Sequence, residues 1–233
     1  MKRPITSAFT LIEMLTVMAV IAILASLIVA VYGFAQKKAA LSRAQGEISA
    51  MSAACENYKG DFAGYPRDIP EDPNEKGYTD KLDPREDGDP NDRGSDGTGR
   101  SKYAKASLVL YKALSGDAKP GTDATRRPNP DDEPDGKPET KGYCEFKPDQ
   151  LDKDKQGNIK FIADPFGNSY GYSTAGARAD EEYREEVQKK PNTPRTGKFQ
   201  KGFSPTYDMW STGGLISKGD NLNEDRKRWV KTW

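Results

Sequence analysis

The stretch that decides the fold is residues 7–36, SAFTLIEMLTVMAVIAILASLIVAVYGFAQ. Residues 14–36 carry no charged side chain, and this run exceeds the ~20 apolar residues that a helix needs to cross a bilayer. Two basic residues, Lys2 and Arg3, precede it, and the basic flank of a membrane helix stays in the cytoplasm. The sequence therefore predicts one membrane-spanning helix at about 14–36, with the following chain on the far side of the membrane.

The same helix is predicted to continue beyond the membrane. Residues 37–58 contain no proline and are rich in alanine and serine. Apolar residues recur there every three or four positions, the spacing of one helix face: Leu41, Ala44, Ile48, Met51 and Cys55. We therefore expect a single helix over residues 9–58, whose second half is amphipathic.

Composition limits what the rest of the chain does. The 233 residues are 34% hydrophobic, with 16 Pro and 22 Gly, so the predicted core is small. The 36 basic and 36 acidic side chains balance, which argues against a protein that binds nucleic acid through excess positive charge. The chain has no histidine, which excludes Ser-His-Asp catalysis and His-ligated zinc. No pair of acids is marked by its spacing as general acid and base, so we expect a protein that is not an enzyme.

The only cysteines are Cys55 and Cys144. In an exported domain they could form a disulfide that links the first helix to the later domain and closes a loop of about 90 residues. The alternative is two unpaired thiols, because separation in sequence does not give the Cα spacing that a disulfide needs. The sequence leaves both alternatives open.

Glu13 is an acidic residue at the edge of the apolar run. An unpaired carboxylate in hydrocarbon costs several kcal/mol, so a neutralising group is expected. In the simpler interpretation, Glu13 reaches the membrane interface near the N-terminus of the helix, where a negative charge suits the helix dipole. That interpretation needs no second chain.

Residues 1–35 resemble the N-terminal signal of type IV prepilins and pseudopilins: a short basic leader, a small residue, then Phe-Thr-Leu-Ile-Glu and an apolar run. The resemblance implies that the prepilin peptidase, a membrane enzyme, cuts between Ala8 and Phe9 and methylates the new amine of Phe9. Most members of the family have Gly where this chain has Ala8. The resemblance also implies that Glu13 pairs with the N-terminal amine of a neighbouring subunit. Each of these groups is costly alone in lipid, and assembly satisfies both.

This assignment divides the chain into a leader at 1–8, the helix at 9–58 and an exported domain at 59–233. The predicted fold class is α+β and pilin-like, with the long helix packed on a small antiparallel sheet. Two segments of the domain, at about 66–100 and 117–141, are rich in Asp and Pro. They are predicted to be long polar surface loops.

The rest of the domain is predicted to contain one helix and the sheet. Apolar residues at helical spacing run from Tyr103 to Leu114 and end at Gly116, a typical C-terminal cap. Four short runs with β-branched or aromatic residues are predicted as strands: 142–146, 158–164, 168–174 and 205–211. The turn sequence Asp-Pro-Phe-Gly-Asn at 164–168 joins the middle two, so a hairpin is expected over 158–174.

The later segments carry a second resemblance. DPFGNSYGYS at 164–173 and YDMWSTGG at 207–214 are similar to sequences of the major pseudopilins of type II secretion, whose C-terminal loop binds Ca²⁺. The resemblance implies a calcium site with ligands from Ser211, Asp220, Asn221 and Asp225. Basic residues follow these acids closely, and a hard cation takes six to eight oxygens. The alternative is therefore a turn held by Asx hydrogen bonds without a metal.

Together the two resemblances imply a bacterial inner-membrane protein with one membrane pass and its C-terminal domain in the periplasm. They imply a structural subunit of a type II secretion pseudopilus or a type IV pilus-like filament. Its partners would be copies of itself, other pseudopilins, the prepilin peptidase, the inner-membrane assembly platform and membrane lipid. The alternative is a membrane-anchored extracytoplasmic binding module, in which the prepilin-like start serves only as an anchor.

Overall fold

The computed structural model describes residues 10–68, 70, 75–92, 101–117, 141–216 and 221–233. The chain divides into two compact units, Met1–Ala40 and Leu41–Trp233, and the fold is α+β with a long apolar N-terminal helix. The helices are α1 (Leu11–Phe62), α2 (Tyr78–Lys81), α3 (Lys102–Ser115), α4 (Ala175–Lys189) and α5 (Leu222–Arg226), with 3₁₀ turns at Pro148–Gln150 and Gly197–Phe199. The strands are β1 (Leu151–Lys153), β2 (Ile159–Ile162), β3 (Gly171–Ser173), β4 (Asp208–Ser211) and β5 (Val230–Lys231).

Helix α1 begins at a capping box. The Thr10 hydroxyl accepts a hydrogen bond from the Glu13 backbone N–H (3.3 Å), and the Glu13 carboxylate accepts one from the Thr10 N–H (2.8 Å). These bonds satisfy donors that the first turn of a helix leaves without partners. The helix ends where Ala63 adopts a left-handed backbone conformation, with φ 56°. The single helix expected over 9–58 is thus observed as a 52-residue helix that ends at Phe62.

The second half of α1 buries one face in what we call the main core. Its buried side chains follow the predicted spacing, and each is at most 3% exposed: Ala44, Ile48, Met51, Ala54 and Cys55. They cluster with buried residues from α3 and from the strands and turns that follow it: Leu110, Leu114, Ile162, Tyr170, Tyr172 and Met209. Burying each large apolar side chain stabilises the fold by about 1.5–3 kcal/mol. A second core forms around Trp210, with Leu82, Tyr103, Leu222 and Trp229.

Helix α3 lies where it was predicted. The Ser101 hydroxyl accepts a hydrogen bond from the Ala104 N–H (3.0 Å) at the N-terminus, and Gly116 ends the helix in the left-handed region, with φ 76°. The Ser107 hydroxyl accepts a hydrogen bond from the Ile162 N–H (2.9 Å). This bond fixes α3 to β2.

The predicted hairpin forms only next to its turn. Strand β2 pairs antiparallel with β1, and β3, β4 and β5 form a second antiparallel sheet in that order. Across the turn at 164–168 the pairing is a single bridge between Ala163 and Ser169. Two backbone hydrogen bonds flank this bridge, from the Tyr170 N–H to the Ile162 carbonyl (3.0 Å) and from the Asp164 N–H to the Asn168 carbonyl (2.7 Å). The hairpin expected over 158–174 is therefore limited to the residues next to the turn, and β2 and β3 belong to different sheets.

The strand predicted at 142–146 does not form. The backbone N–H groups of Tyr143 and Cys144 both donate to the carbonyl of Leu114, at 2.7 and 2.9 Å. This carbonyl belongs to the last turn of α3, which leaves its acceptors without helical partners. The segment thus caps α3 with donors that a strand would need for its ladder.

The polar segments differ from their predictions in two ways. The segment at 66–100 contains helix α2, and its Thr79 and Leu82 are fully buried, so this part is not a surface loop. Residues 93–100, and 118–140 of the other predicted loop, lie outside the described residues. Helix α4 has no counterpart in the predictions, because its buried residues are small and few: Ala175, Gly176 and Ala179.

Candidate functional site

The first turn of α1 carries Glu13, the residue with the clearest predicted role. Glu13 Oε2 accepts hydrogen bonds from the Thr10 N–H (2.8 Å) and the Thr10 hydroxyl (2.7 Å). The carboxylate therefore has a partner within its own chain. The predicted cleavage residues Ala8 and Phe9 lie outside the described residues, so the pairing of Glu13 with an N-terminal amine stays a prediction.

Thr10 is a site residue that the sequence predictions did not single out. The signal was present, because Thr10-Leu11-Ile12-Glu13 matches the Ser/Thr-x-x-Glu pattern of a capping box. The Thr10 hydroxyl both donates to the Glu13 carboxylate and accepts from the Glu13 N–H. This arrangement holds the carboxylate at the N-terminal end of α1.

Uncovered apolar side chains occupy the first half of α1. The large ones are more than half exposed: Leu11, Ile12, Met14, Leu15, Val17, Met18, Val20, Ile21, Ile23, Leu24, Leu27 and Ile28. By length and composition, α1 can cross a membrane. A contiguous apolar surface of this size is unfavourable in water and is typical of a surface that contacts a membrane or another protein.

The turn at 164–168, which we call the Asp164 turn, is the second region that the sequence marked. Asp164 Oδ1 accepts hydrogen bonds from the N–H groups of Phe166 (3.0 Å) and Asn168 (2.9 Å). Gly167 takes a positive φ of 82°, which glycine adopts without steric cost. Burial raises the pKa of the Asp164 carboxyl, although these hydrogen bonds favour its charged form. The turn is thus built around one buried carboxyl group.

Ser211, which the resemblance assigns to calcium, lies at the end of β4 and is fully buried. Its hydroxyl donates to Asp164 Oδ2 (2.6 Å) and accepts from the Gly213 N–H (3.1 Å). Ser211 therefore joins β4 to the Asp164 turn.

The other residues that the resemblance assigns to calcium are Asp220, Asn221 and Asp225, and the structure describes two of them. Asn221 is exposed at the start of α5 and makes no side-chain capping bond, and an Asp225 oxygen lies 3.8 Å from the Arg228 guanidinium. Asp220 lies outside the described residues. Within the described ranges, no three His, Cys, Asp or Glu side chains are grouped so that they could hold a metal ion. Because Asp220 is not described, the calcium site stays a prediction.

Glu47 is a charged residue on the buried side of α1 that no motif marked. Its carboxylate accepts a hydrogen bond from the Tyr170 hydroxyl (2.6 Å) and pairs with the Arg43 guanidinium (2.7 Å). Burial, together with the nearby Glu47 carboxylate, raises the pKa of Tyr170. Because Tyr170 follows the Asp164 turn, this contact fixes the turn to α1.

Both cysteines are free thiols. Cys55 is fully buried on α1, whereas Cys144 is half-buried, and both pack in the main core. Burial raises the pKa of each thiol. The fold therefore brings into one core two residues that lie far apart in the sequence.

Comparison with known proteins adds no family to these observations. No protein-family model, no curated protein and no solved structure matches the chain. Its function is therefore argued from its own residues and geometry.

Proposed function

We propose that the chain is a structural subunit of a type IV pilin-like filament, held in the bacterial inner membrane before assembly. The observation that carries this proposal is α1, a single 52-residue helix. Its first half exposes large apolar side chains, and its second half buries one face in the main core. A cleaved secretory signal is shorter and ends at its cleavage site, whereas this helix continues into the folded domain.

The apolar first half of α1 suits two successive environments. Before assembly the subunit lies in the membrane, where lipid covers this half. In the filament the apolar helices of neighbouring subunits cover it. In a membrane, where no water surrounds them, helices associate through side-chain packing and polar contacts. The same surface can therefore serve as both anchor and assembly interface.

Glu13 supplies the polar contact in this scheme. Thr10 donates two hydrogen bonds to the Glu13 carboxylate, but both donors are neutral and do not cancel its negative charge. Cleavage between Ala8 and Phe9 would create an N-terminal amine, and the amine of a neighbouring subunit would supply the opposite charge. In a low-dielectric surrounding an ion pair is strongly favoured over either isolated charge. Assembly is then coupled to correct processing.

Within this class we favour a pseudopilus of type II secretion. The two late segments that resemble major pseudopilins are in contact, because Ser211 in one donates a hydrogen bond to Asp164 in the other (2.6 Å). Two motifs with one resemblance thus form one structural unit. The expected partners are further copies of this chain, other pseudopilins, the prepilin peptidase and the inner-membrane assembly platform.

The proposal is tested at the N-terminus and at Glu13. Intact-mass and N-terminal analysis of the protein from its native membrane should find a chain that begins at methylated Phe9. Glu13→Gln keeps the side-chain volume but removes the charge, so we expect normal cleavage and a filament yield at least about tenfold lower. The matched control is Glu56→Gln, at an exposed acid of the same helix, which should assemble like the wild type.

Two outcomes would contradict the proposal. A chain that keeps Met1 has no amine at Phe9 to pair with Glu13, and the membrane-anchored binding module would then be the better function. Wild-type filament yield from Glu13→Gln would show that assembly does not use this carboxylate.

A further inference from the structure

The two cysteines lie on segments that contact each other. Cys55 and Tyr58 are three residues apart on α1 and so share one face of the helix. The ring of Tyr143, next to Cys144 in the chain, lies 5.5 Å from the ring of Tyr58 and 6.4 Å from that of Phe62. The segment that carries Cys144 therefore passes over the last turns of α1, on the side that carries Cys55.

This segment is held in place by polar contacts. The Cys144 N–H donates to the carbonyl of Leu114 (2.9 Å). Asp61 near the end of α1 accepts hydrogen bonds from the Lys141 amine (2.6 Å) and the Tyr143 hydroxyl (2.6 Å). The backbone that leads to the Cys144 thiol is thus held in place before any covalent bond is made.

The electrostatics of Cys55 also place it near Cys144. Both side chains pack in the main core. Burial is the main cause of the raised pKa of Cys55, but the charges of Glu56 and Cys144 add to it. Charge on the Cys144 sulfur therefore acts on Cys55, as expected for neighbouring groups in a low-dielectric core.

We propose that Cys55 and Cys144 form a disulfide once the domain reaches an oxidising compartment, fastening the segment at 141–146 to α1. The bond would close a loop of about 90 residues, and constraining so long a loop lowers the entropy of the unfolded chain. Both polar segments, 66–100 and 117–141, lie inside this loop. That the domain reaches an oxidising compartment rests on the proposed function, whereas the pairing of the two cysteines does not.

The chemistry follows from the different burial of the two thiols. The half-buried Cys144, as thiolate, attacks an external disulfide such as oxidised glutathione, bonds to one half and releases the other half as a thiol. Cys55 then loses its proton and attacks the Cys144 sulfur, which expels the second half as a thiol. Two protein thiols are oxidised and one external disulfide is reduced. Because burial raises the pKa of Cys55, its attack should be the slower step.

The test uses full-length reduced protein in detergent, treated with oxidised glutathione and analysed by intact mass. The wild type should lose about 2 Da and carry no glutathione. Cys55→Ala keeps the accessible thiol without its partner, so it should retain one glutathione at Cys144. Cys144→Ser keeps only the buried thiol and should stay unmodified. Reduction should lower the Tm of the oxidised wild type by about 5–10 °C and leave that of Cys144→Ser unchanged.

Other outcomes would overturn the pairing. Wild-type protein that retains glutathione on Cys144 would show that Cys55 cannot reach it, and covalent dimers would show that Cys144 reacts between chains. Thiol labelling of denatured protein from native membranes shows whether the disulfide is present in the cell. It therefore tests the exported location of the domain independently of the ability of the two cysteines to pair. A bond that forms with glutathione in solution, but is absent in the cell, would contradict the exported location while supporting the pairing.

Discussion

At the residue scale, the Asp164 carboxyl gives the fold a defined dependence on pH. Burial raises its pKa, so the folded chain keeps a proton that the unfolded chain releases. By linkage, the contribution of Asp164 to the free energy of unfolding falls as the pH rises from about 4, near the pKa of an unfolded aspartate, through the raised pKa of the folded state. Asp208 contributes in the same direction, because burial raises its pKa too.

Asp164→Asn should remove the share of this dependence that Asp164 contributes. The amide oxygen can still accept the hydrogen bonds from the Phe166 and Asn168 N–H groups, and an amide does not ionise. Between about pH 4 and 7, we expect the variant to lose less unfolding free energy than the wild type, measured by urea unfolding at each pH. Glu185→Gln, at an exposed position of α4, should keep the wild-type dependence. An unchanged dependence in Asp164→Asn would assign the effect to other carboxyls.

At the element scale, the contact between β3 and β4 tolerates no extra atom. Gly171 pairs with Trp210 across the two strands, and a Cβ at Gly171 would overlap the indole ring. Gly171→Ala should therefore lower the free energy of unfolding by about 1–3 kcal/mol. In the matched control Gly60→Ala, on α1, nothing lies within 4 Å of the new Cβ. That variant should gain about 0.5–1 kcal/mol, because alanine favours a helix. Equal effects in urea unfolding would refute the packing argument.

The range of the deciding interaction determines which elements the sequence could predict. Helices α1 and α3 follow from local apolar spacing, and Gly116 marks the end of α3. The pairing of β2 could not be predicted from local spacing, because β2 is positioned by a hydrogen bond between Ile162 and Ser107, which lie 55 residues apart in the sequence. The residues at 142–146 are typical of a strand, but in the fold their N–H groups donate to the carbonyl at the end of α3 and not to a neighbouring strand. Helix α4 lacks an apolar stripe, because its buried side chains are small.

The candidate site divides in the same way. Glu13 and its neighbours were identifiable because their motif is continuous, and Thr10 is within the same turn. The bond between Glu47 and Tyr170 joins residues 123 positions apart, and no local pattern marks either of them. The motifs containing Ser211 and Asp164 were both recognised from the sequence, but the hydrogen bond between these two residues is known only from the fold.

At the scale of the whole molecule, the two compact units differ in what covers their apolar side chains. The unit Leu41–Trp233 contains both hydrophobic cores. None of the residues described in the unit Met1–Ala40 lies in either core, and the large apolar side chains among them are exposed. The exposed apolar surface that the proposed membrane anchoring and assembly would cover therefore lies in the first unit, whereas the packed cores lie in the second.

A chain that begins at Lys37 should show this division directly. It keeps a turn of α1 before Leu41 and loses no core residue, so we expect it to fold and remain monomeric in water without detergent. Its Tm should lie within about 5 °C of that of the full-length protein in detergent, with light scattering to measure its mass. The full-length chain should aggregate when detergent is withdrawn. Aggregation or a non-cooperative melt of the shortened chain would mean that the first half of α1 helps to build the domain, and that its apolar surface is not reserved for lipid and neighbouring helices.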